Sequence, residues 1–197
     1  MLKMKQLFVL VGIVFLSACS NESSQLPMVA EDMPIGAIQE PFEDNPEMIK
    51  VIVNDENAKE KAFGIYIKGV REGSWVEYHP NGFVKTIMGY SNGLKEGQAL
   101  ELDNLGRLLE RFTYHKGELH GAYTKYNGSR IKEQKNYKNG KLEGKSEIFY
   151  DNTKVMEESY YKNGKRDGVA KWYDQEGNLT IEYTYVDGEW IKEEGEE

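Results

Sequence analysis

The chain of 197 residues is poor in the residues that carry covalent and metal chemistry. It has one Cys, which excludes an intrachain disulfide, and three His (His79, His115 and His120). No H-E-x-x-H, paired-Cys, G-x-S-x-G or phosphate-cradling glycine pattern occurs, so neither a metal nor a cofactor is expected. Proline is also scarce: four of the five (Pro27, Pro34, Pro41 and Pro46) precede residue 50. Only one long hydrophobic run exists, Leu7 to Leu16, and between Ser20 and Ile49 there is no Lys or Arg at all. The formal charge of −8 repels nucleic-acid phosphates, which argues against a nucleic-acid partner.

What is abundant is tyrosine and glycine. Thirteen Tyr and twenty Gly suit exposed β-sheet, where a ring needs one apolar side and one wet edge. Five glycines recur at a fixed interval: Gly73, Gly97, Gly121, Gly144 and Gly168, in steps of 24, 24, 23 and 24 residues. A period of this size marks a repeat protein. With each marker glycine as position 0, further columns align. Position 5 reads Tyr78, Leu102, Tyr126, Phe149 and Tyr173. Position 9 reads Gly82, Gly106, Gly128, Thr153 and Gly177. Position 11 reads Val84, Leu108, Ile131, Val155 and Leu179. Position 17 is Tyr throughout (Tyr90, Tyr114, Tyr137, Tyr161, Tyr185), and position 20 is Gly throughout (Gly93, Gly117, Gly140, Gly164, Gly188). Tyr66 and Gly69 extend the pattern back into a degenerate earlier unit.

Each unit reads as a β-hairpin. A loop around position 9 sets position 5 opposite position 11, so Tyr78 faces Val84 and Phe149 faces Val155. Asn92-Gly93, Asn139-Gly140 and Asn163-Gly164 then mark two-residue turns into the next unit. The fold expected is all-β, an elongated antiparallel meander of successive hairpins, with Gly73, Gly82, Gly93, Gly97, Gly106, Gly117, Gly121, Gly128, Gly140, Gly144, Gly164, Gly168, Gly177 and Gly188 as turn glycines. Each unit advances about 10 Å. One such sheet buries a face only by curling, packing on itself or meeting a partner, so an interaction surface is expected.

The N-terminus reads as an address. Lys3 and Lys5 precede the ten-residue apolar run, which covers about 15 Å as a helix and is too short to span a bilayer. This is the layout of a signal peptide. Leu16-Ser17-Ala18-Cys19 resembles the lipobox of bacterial lipoproteins, in which the Cys is acylated and cleavage falls just before it. The resemblance implies export and lipid anchoring at Cys19, to the outer membrane if the host is Gram-negative, since Ser20 is not Asp. An ordinary secretory signal with an incidental Cys is the alternative. The division expected is a signal peptide at 1–18, an acidic flexible tether at 19–48, a repeat body at 49–192 and an acidic tail at 193–197. The tether carries seven acidic residues and no alternating pattern; the alternative is an arm that folds on a partner.

The repeat unit resembles the MORN family, and most closely its bacterial variant typified by Tyr-Lys-Asn-Gly-Lys-x-x-Gly. Tyr137 to Gly144 (YKNGKLEG) and Tyr161 to Gly168 (YKNGKRDG) carry that motif; Gly121 to Tyr126 (GAYTKY) and Gly168 to Tyr173 (GVAKWY) carry the other half. The resemblance implies a sheet of hairpins used for protein contact, membrane association or scaffolding. It departs from the family where Ala99, Ser146 and Ala170 replace the aromatic of position 2 and Thr153 replaces a turn glycine. Some bacterial relatives are labelled antitoxins, so an antitoxin or immunity-type inhibitor is the second reading. The first is a membrane-anchored, non-catalytic module with a protein or glycan partner. A hydrolase using surface carboxylates is a third class. The residues expected to meet a partner are Trp75, Tyr123, Trp172 and Trp190, the alternative being that these rings only stabilise hairpins. His115 and His120 read either as a metal pair or as solvated turn residues.

Overall fold

A computed structural model describes residues 33–191. The signal peptide, Cys19, the first part of the tether and the tail at 193–197 lie outside the described residues. Those described form strands and turns only. β1 (Ile38–Phe42) and β2 (Asn45–Asn54) lead into β3 (Glu60–Ile67), β4 (Val70–Tyr78), β5 (Val84–Ser91), β6 (Leu94–Leu102) and β7 (Leu108–His115). The chain then continues through β8 (Glu118–Leu119), β9 (Gly121–Asn127), β10 (Arg130–Lys138), β11 (Lys141–Leu142), β12 (Gly144–Phe149) and β13 (Val155–Lys162). It ends in β14 (Lys165–Arg166), β15 (Gly168–Tyr173), β16 (Leu179–Val186) and β17 (Glu189–Ile191). Every pairing is antiparallel and between neighbours in sequence, giving one open meander. β8 with β9, β11 with β12 and β14 with β15 are halves of single interrupted strands, because β7, β10 and β13 pair with both halves.

The expected register holds in all five units: Tyr78 pairs with Val84, Leu102 with Leu108, Tyr126 with Ile131, Phe149 with Val155 and Tyr173 with Leu179. The Asn-Gly turns hold as well. Asn92 and Gly93 both have positive φ, at 49° and 80°, the mirror-image turn whose twist matches that of flanking strands.

Two expectations are corrected. The sheet starts before residue 49: β1 and the first residues of β2 occupy part of the segment read as tether, with Ile38 paired to Ile52 and Glu40 to Lys50. β1 is exposed along its whole length. It therefore has no buried face to impose an alternating pattern, and Pro41 is tolerated because an outermost strand leaves one row of its amides unused. The second correction concerns the marker glycines, which are not at turns. Between the pairs Tyr90–Lys95 and Met88–Ala99, Gly89 alone faces Glu96, Gly97 and Gln98. Gly73 sits in the same arrangement opposite Gly64. In the later units two residues face four, as between Arg111–Thr124 and Tyr114–Leu119. Each marker thus lies in a mid-strand bulge of two extra residues, where a positive φ (77° at Gly97) accommodates the kink.

A single sheet buries little. The apolar core comprises Val51, Ala62, Tyr66 and Trp75, with Met33, Ala37, Ile49, Val53 and Tyr90 packed against it. Beyond it, buried positions are small: Ala99, Thr124, Ser146, Ser159 and Ala170. Their columns compensate across the strands, Ala99 pairing with Phe112 and Ala170 with Tyr183. The departures from an aromatic at position 2 are therefore filled by a larger residue on the next strand in these two units.

Candidate interaction face

The Tyr column and the glycine beat are one feature seen from two strands. Gly73, Gly97, Gly121, Gly144 and Gly168 pair across the sheet with Tyr90, Tyr114, Tyr137, Tyr161 and Tyr185. On its other side each Tyr pairs with the residue five places later, which in all but the last unit stands two places before the next marker. Tyr66 meets Arg71, Tyr90 meets Lys95, Tyr114 meets Leu119, Tyr137 meets Leu142, Tyr161 meets Arg166 and Tyr185 meets Trp190. The result is a band of rings crossing all the repeats on one face, with cations set against it along its length: Arg71, Lys95, Lys135 and Arg166.

At the N-terminal end the Arg71 guanidinium donates to the Tyr66 and Tyr90 hydroxyls at 3.0 and 3.1 Å and lies 4.5 Å from the centre of the Trp75 ring. Burial works against the Arg71 charge, but the two tyrosines outweigh it and its pKa is raised. Trp75 is 4% exposed. It is edge-on to Tyr66 at 6.0 Å and lies over Gly64, where a Cβ would stand 2.1 Å from the indole. Its assignment as a partner-binding residue is corrected: the bulge at Gly73 lays the ring onto Gly64 and makes it core.

In the middle, Tyr123 is half-buried between Phe112 (5.8 Å) and Tyr137 (6.1 Å). Burial first, then the Glu110 and Glu133 carboxylates, push its hydroxyl well above the usual tyrosine range. Those two carboxylates belong to a column with Glu157. Glu133 is held by Lys135 at 2.6 Å, and Glu110 lies 3.7 Å from Lys125.

The C-terminal end is the richest. Glu157 accepts hydrogen bonds from the Ser159 hydroxyl (2.8 Å), the Trp172 indole N–H (3.2 Å) and the Arg166 guanidinium. Arg166 in turn lies over Trp172 and Tyr185 at 5.2 and 5.4 Å. Each such cation–ring contact contributes roughly 0.5–1 kcal/mol when exposed, and more when water is excluded. Trp172, Tyr183 and Trp190 then form a chain of edge-to-face contacts at 5.8 and 5.4 Å. Trp190 is 49% exposed, Ile181 47% and Tyr183 38%.

Of the four residues read from the sequence as partner-facing, the structure therefore joins only Trp172 and Trp190, through Tyr183. Tyr183, Arg166 and Glu157 were not singled out. The signal for Arg166 was present: Arg71 and Arg166 both stand two residues before a marker glycine. His115 and His120 are adjacent, with rings edge-on at 5.7 Å. The Nδ1 atoms are engaged, His115 with Glu96 at 2.9 Å and His120 with Asn139 at 3.3 Å. Among the described residues no group of three or more His, Cys, Asp or Glu side chains is placed to hold a metal.

Among curated proteins, no sequence matches this chain. Its last two complete hairpin units do match a family model, the MORN repeat variant, at residues 142–163 and 166–187. These are the units in which Glu157, Arg166, Trp172 and Tyr183 lie. The earlier units repeat their pairing, marker bulge and Tyr column, and a MORN repeat variant is thus found where the exposed end of the ring band is built.

Proposed function

We propose that the protein is a non-catalytic interaction module, held at a bacterial membrane through a lipid on Cys19, that presents its ring-bearing face to a protein partner. The observation that carries this reading is the continuity of that face. Rings and cations cross every repeat, and the band ends in apolar side chains left open to water at Ile181, Tyr183 and Trp190. Tyrosine, tryptophan and arginine are the residues that most often dominate binding energy at protein interfaces. The lipobox-like sequence ending at Cys19 supports the anchoring, and at about 0.8 kcal/mol per buried methylene two or more acyl chains would make a stable anchor.

Affinity capture from membranes tests both halves. The wild-type chain is expected to retain a partner that Tyr183→Ala and Trp190→Ala lose together. Cys19→Ala is expected to move the protein from the membrane to the soluble fraction. A capture that yields a toxin or secreted effector, with loss of viability when this protein alone is deleted, turns the reading toward an inhibitor, in line with the antitoxin label of some bacterial relatives of the repeat.

A further inference from the structure

The margin of the sheet that carries the Asn-Gly turns departs from the repeat at one unit border. Just before the turn stand Ser91, His115, Lys138, Lys162 and Val186, and just before the markers stand Glu72, Glu96, His120, Glu143 and Asp167. Both histidines therefore fall around the same turn, Lys116-Gly117, and neither belongs to a repeated column. The hairpin brings them together. His115 pairs with Glu118 and Tyr114 with Leu119, and the His120 backbone N–H donates to the Thr113 carbonyl at 2.8 Å. Side chains alternate across a strand, so both imidazoles lie on the face opposite the Tyr column, clear of the ring band.

Their neighbours fix one nitrogen of each ring. Glu96 lies on β6, before His115 on β7, and its carboxylate meets His115 Nδ1 at 2.9 Å. Asn139 lies beyond His120, in the turn whose Gly140 N–H donates to Leu119, and its side-chain oxygen meets His120 Nδ1 at 3.3 Å. The two Nδ1 atoms thus face outward, away from each other, and the Nε2 atoms on the far sides of the rings turn toward the space between them. Both partners are acceptors, so each Nδ1 carries the proton and each neutral Nε2 presents a bare lone pair. Among the described residues neither Nε2 has a hydrogen-bond partner, and the His115 side chain is 50% exposed. Metal-binding histidines are held in this way, with the second ring nitrogen donated to a carboxylate or carbonyl oxygen. The spacing fits as well. A zinc ion about 2.0–2.1 Å from each nitrogen stands about 3.2 Å from each ring centre, so centres 5.7 Å apart set an N–Zn–N angle of about 125°. We infer that His115 and His120 together bind one imidazole-seeking divalent cation of the first transition row, Zn²⁺ foremost, through their Nε2 atoms. Two protein ligands leave the remaining positions to water, which makes the site open and exchangeable. The inference is independent of the ring-bearing face and of any partner there.

The test titrates zinc chloride into the full-length protein in detergent at neutral pH, read by calorimetry. His115→Ala and His120→Ala are each expected to weaken binding at least tenfold while keeping the wild-type circular dichroism spectrum. His79→Ala is expected to change the affinity less than twofold, because its Nε2 is already engaged by the Leu102 carbonyl at 3.0 Å. Saturating zinc is expected to move the imidazole NMR signals of His115 and His120 and to leave those of His79 in place. Absence of zinc binding overturns the proposal. So does binding that survives replacement of both histidines, since the ion then sits elsewhere. Single replacements that halve the number of ions bound at unchanged affinity overturn it too, because the imidazoles then act separately and not as one chelate.

Discussion

Two tryptophans with the same apparent standing in the sequence have different roles. Trp75 is buried against Gly64, so Trp75→Ala is expected to cost about 3–5 kcal/mol, read as a loss in the denaturation midpoint. Trp190→Ala is expected to change stability by less than about 1 kcal/mol, because the ring is half in water. The sequence did not separate them. What buries Trp75 is the glycine across the bulge, and that glycine lies in the degenerate first unit, where no marker aligns. Gly89 and Gly97 differ for a related reason. A Cβ at Gly97 meets open space and suffers only its left-handed φ, a penalty of about 1–2 kcal/mol. A Cβ at Gly89 would stand 2.2 Å from the Glu96 carbonyl oxygen, so Gly89→Ala is expected to be the more damaging of the two in thermal melts. Thr153 makes the opposite case, a β-branched residue at φ 70° where other units have glycine. Relief of about 1–2 kcal/mol of strain exceeds the extra unfolded-chain entropy of glycine, so Thr153→Gly is expected to stabilise by about 0.5–1 kcal/mol.

Consecutive elements are stapled along one margin of the sheet by a contact that spans twenty residues. The acidic residue just before a marker glycine accepts a hydrogen bond from a backbone N–H in the next unit's turn. Glu72 bonds Asn92, Glu96 bonds Lys116 and Glu143 bonds Asn163, each at 2.8 Å, and Asp167 bonds Asp187 at 3.2 Å. In the unit where His120 replaces the acid, the imidazole meets the Asn139 side chain instead. The acidic column is visible in the sequence, but its partner is not, since nothing local ties position −1 to a turn one unit later. The same limit hid β1, whose pairing with β2 has no apolar period to betray it. The turn N–H of Lys116, and after it His115, hold the Glu96 carboxyl below its ordinary value of 4.5. A lowered carboxyl contributes stability that is present above pH 4.5 and is lost as pH falls through its folded-state value. Glu96→Ala is therefore expected to lower the melting temperature at pH 7, with the gap to wild type closing in acid; a gap that persists unchanged at pH 2 would sink this account.

Across the whole molecule stability is graded. The core at β2, β3 and β4 has packed side chains on it, whereas β16 and β17 end the described sheet with their side chains mostly open. Native-state amide exchange is expected to be slowest in β3 and β4 and fastest in β1, β16 and β17, the order of local opening that burial dictates. This gradient was not legible from repeats that look alike, because it comes from Met33 and Ala37 packing against the core at one end. The meander, its register and its Asn-Gly turns were legible, because they depend on pairings a few residues apart. The staple described above has a further consequence. Both borders of a unit carry the same acid-to-turn contact, so a 24-residue cassette could be copied into the chain with both seams intact. Each copy would carry β16 and β17 about 10 Å farther from β1. Reach in this protein is a countable quantity, set by the number of cassettes and alterable in whole steps without redesigning either end.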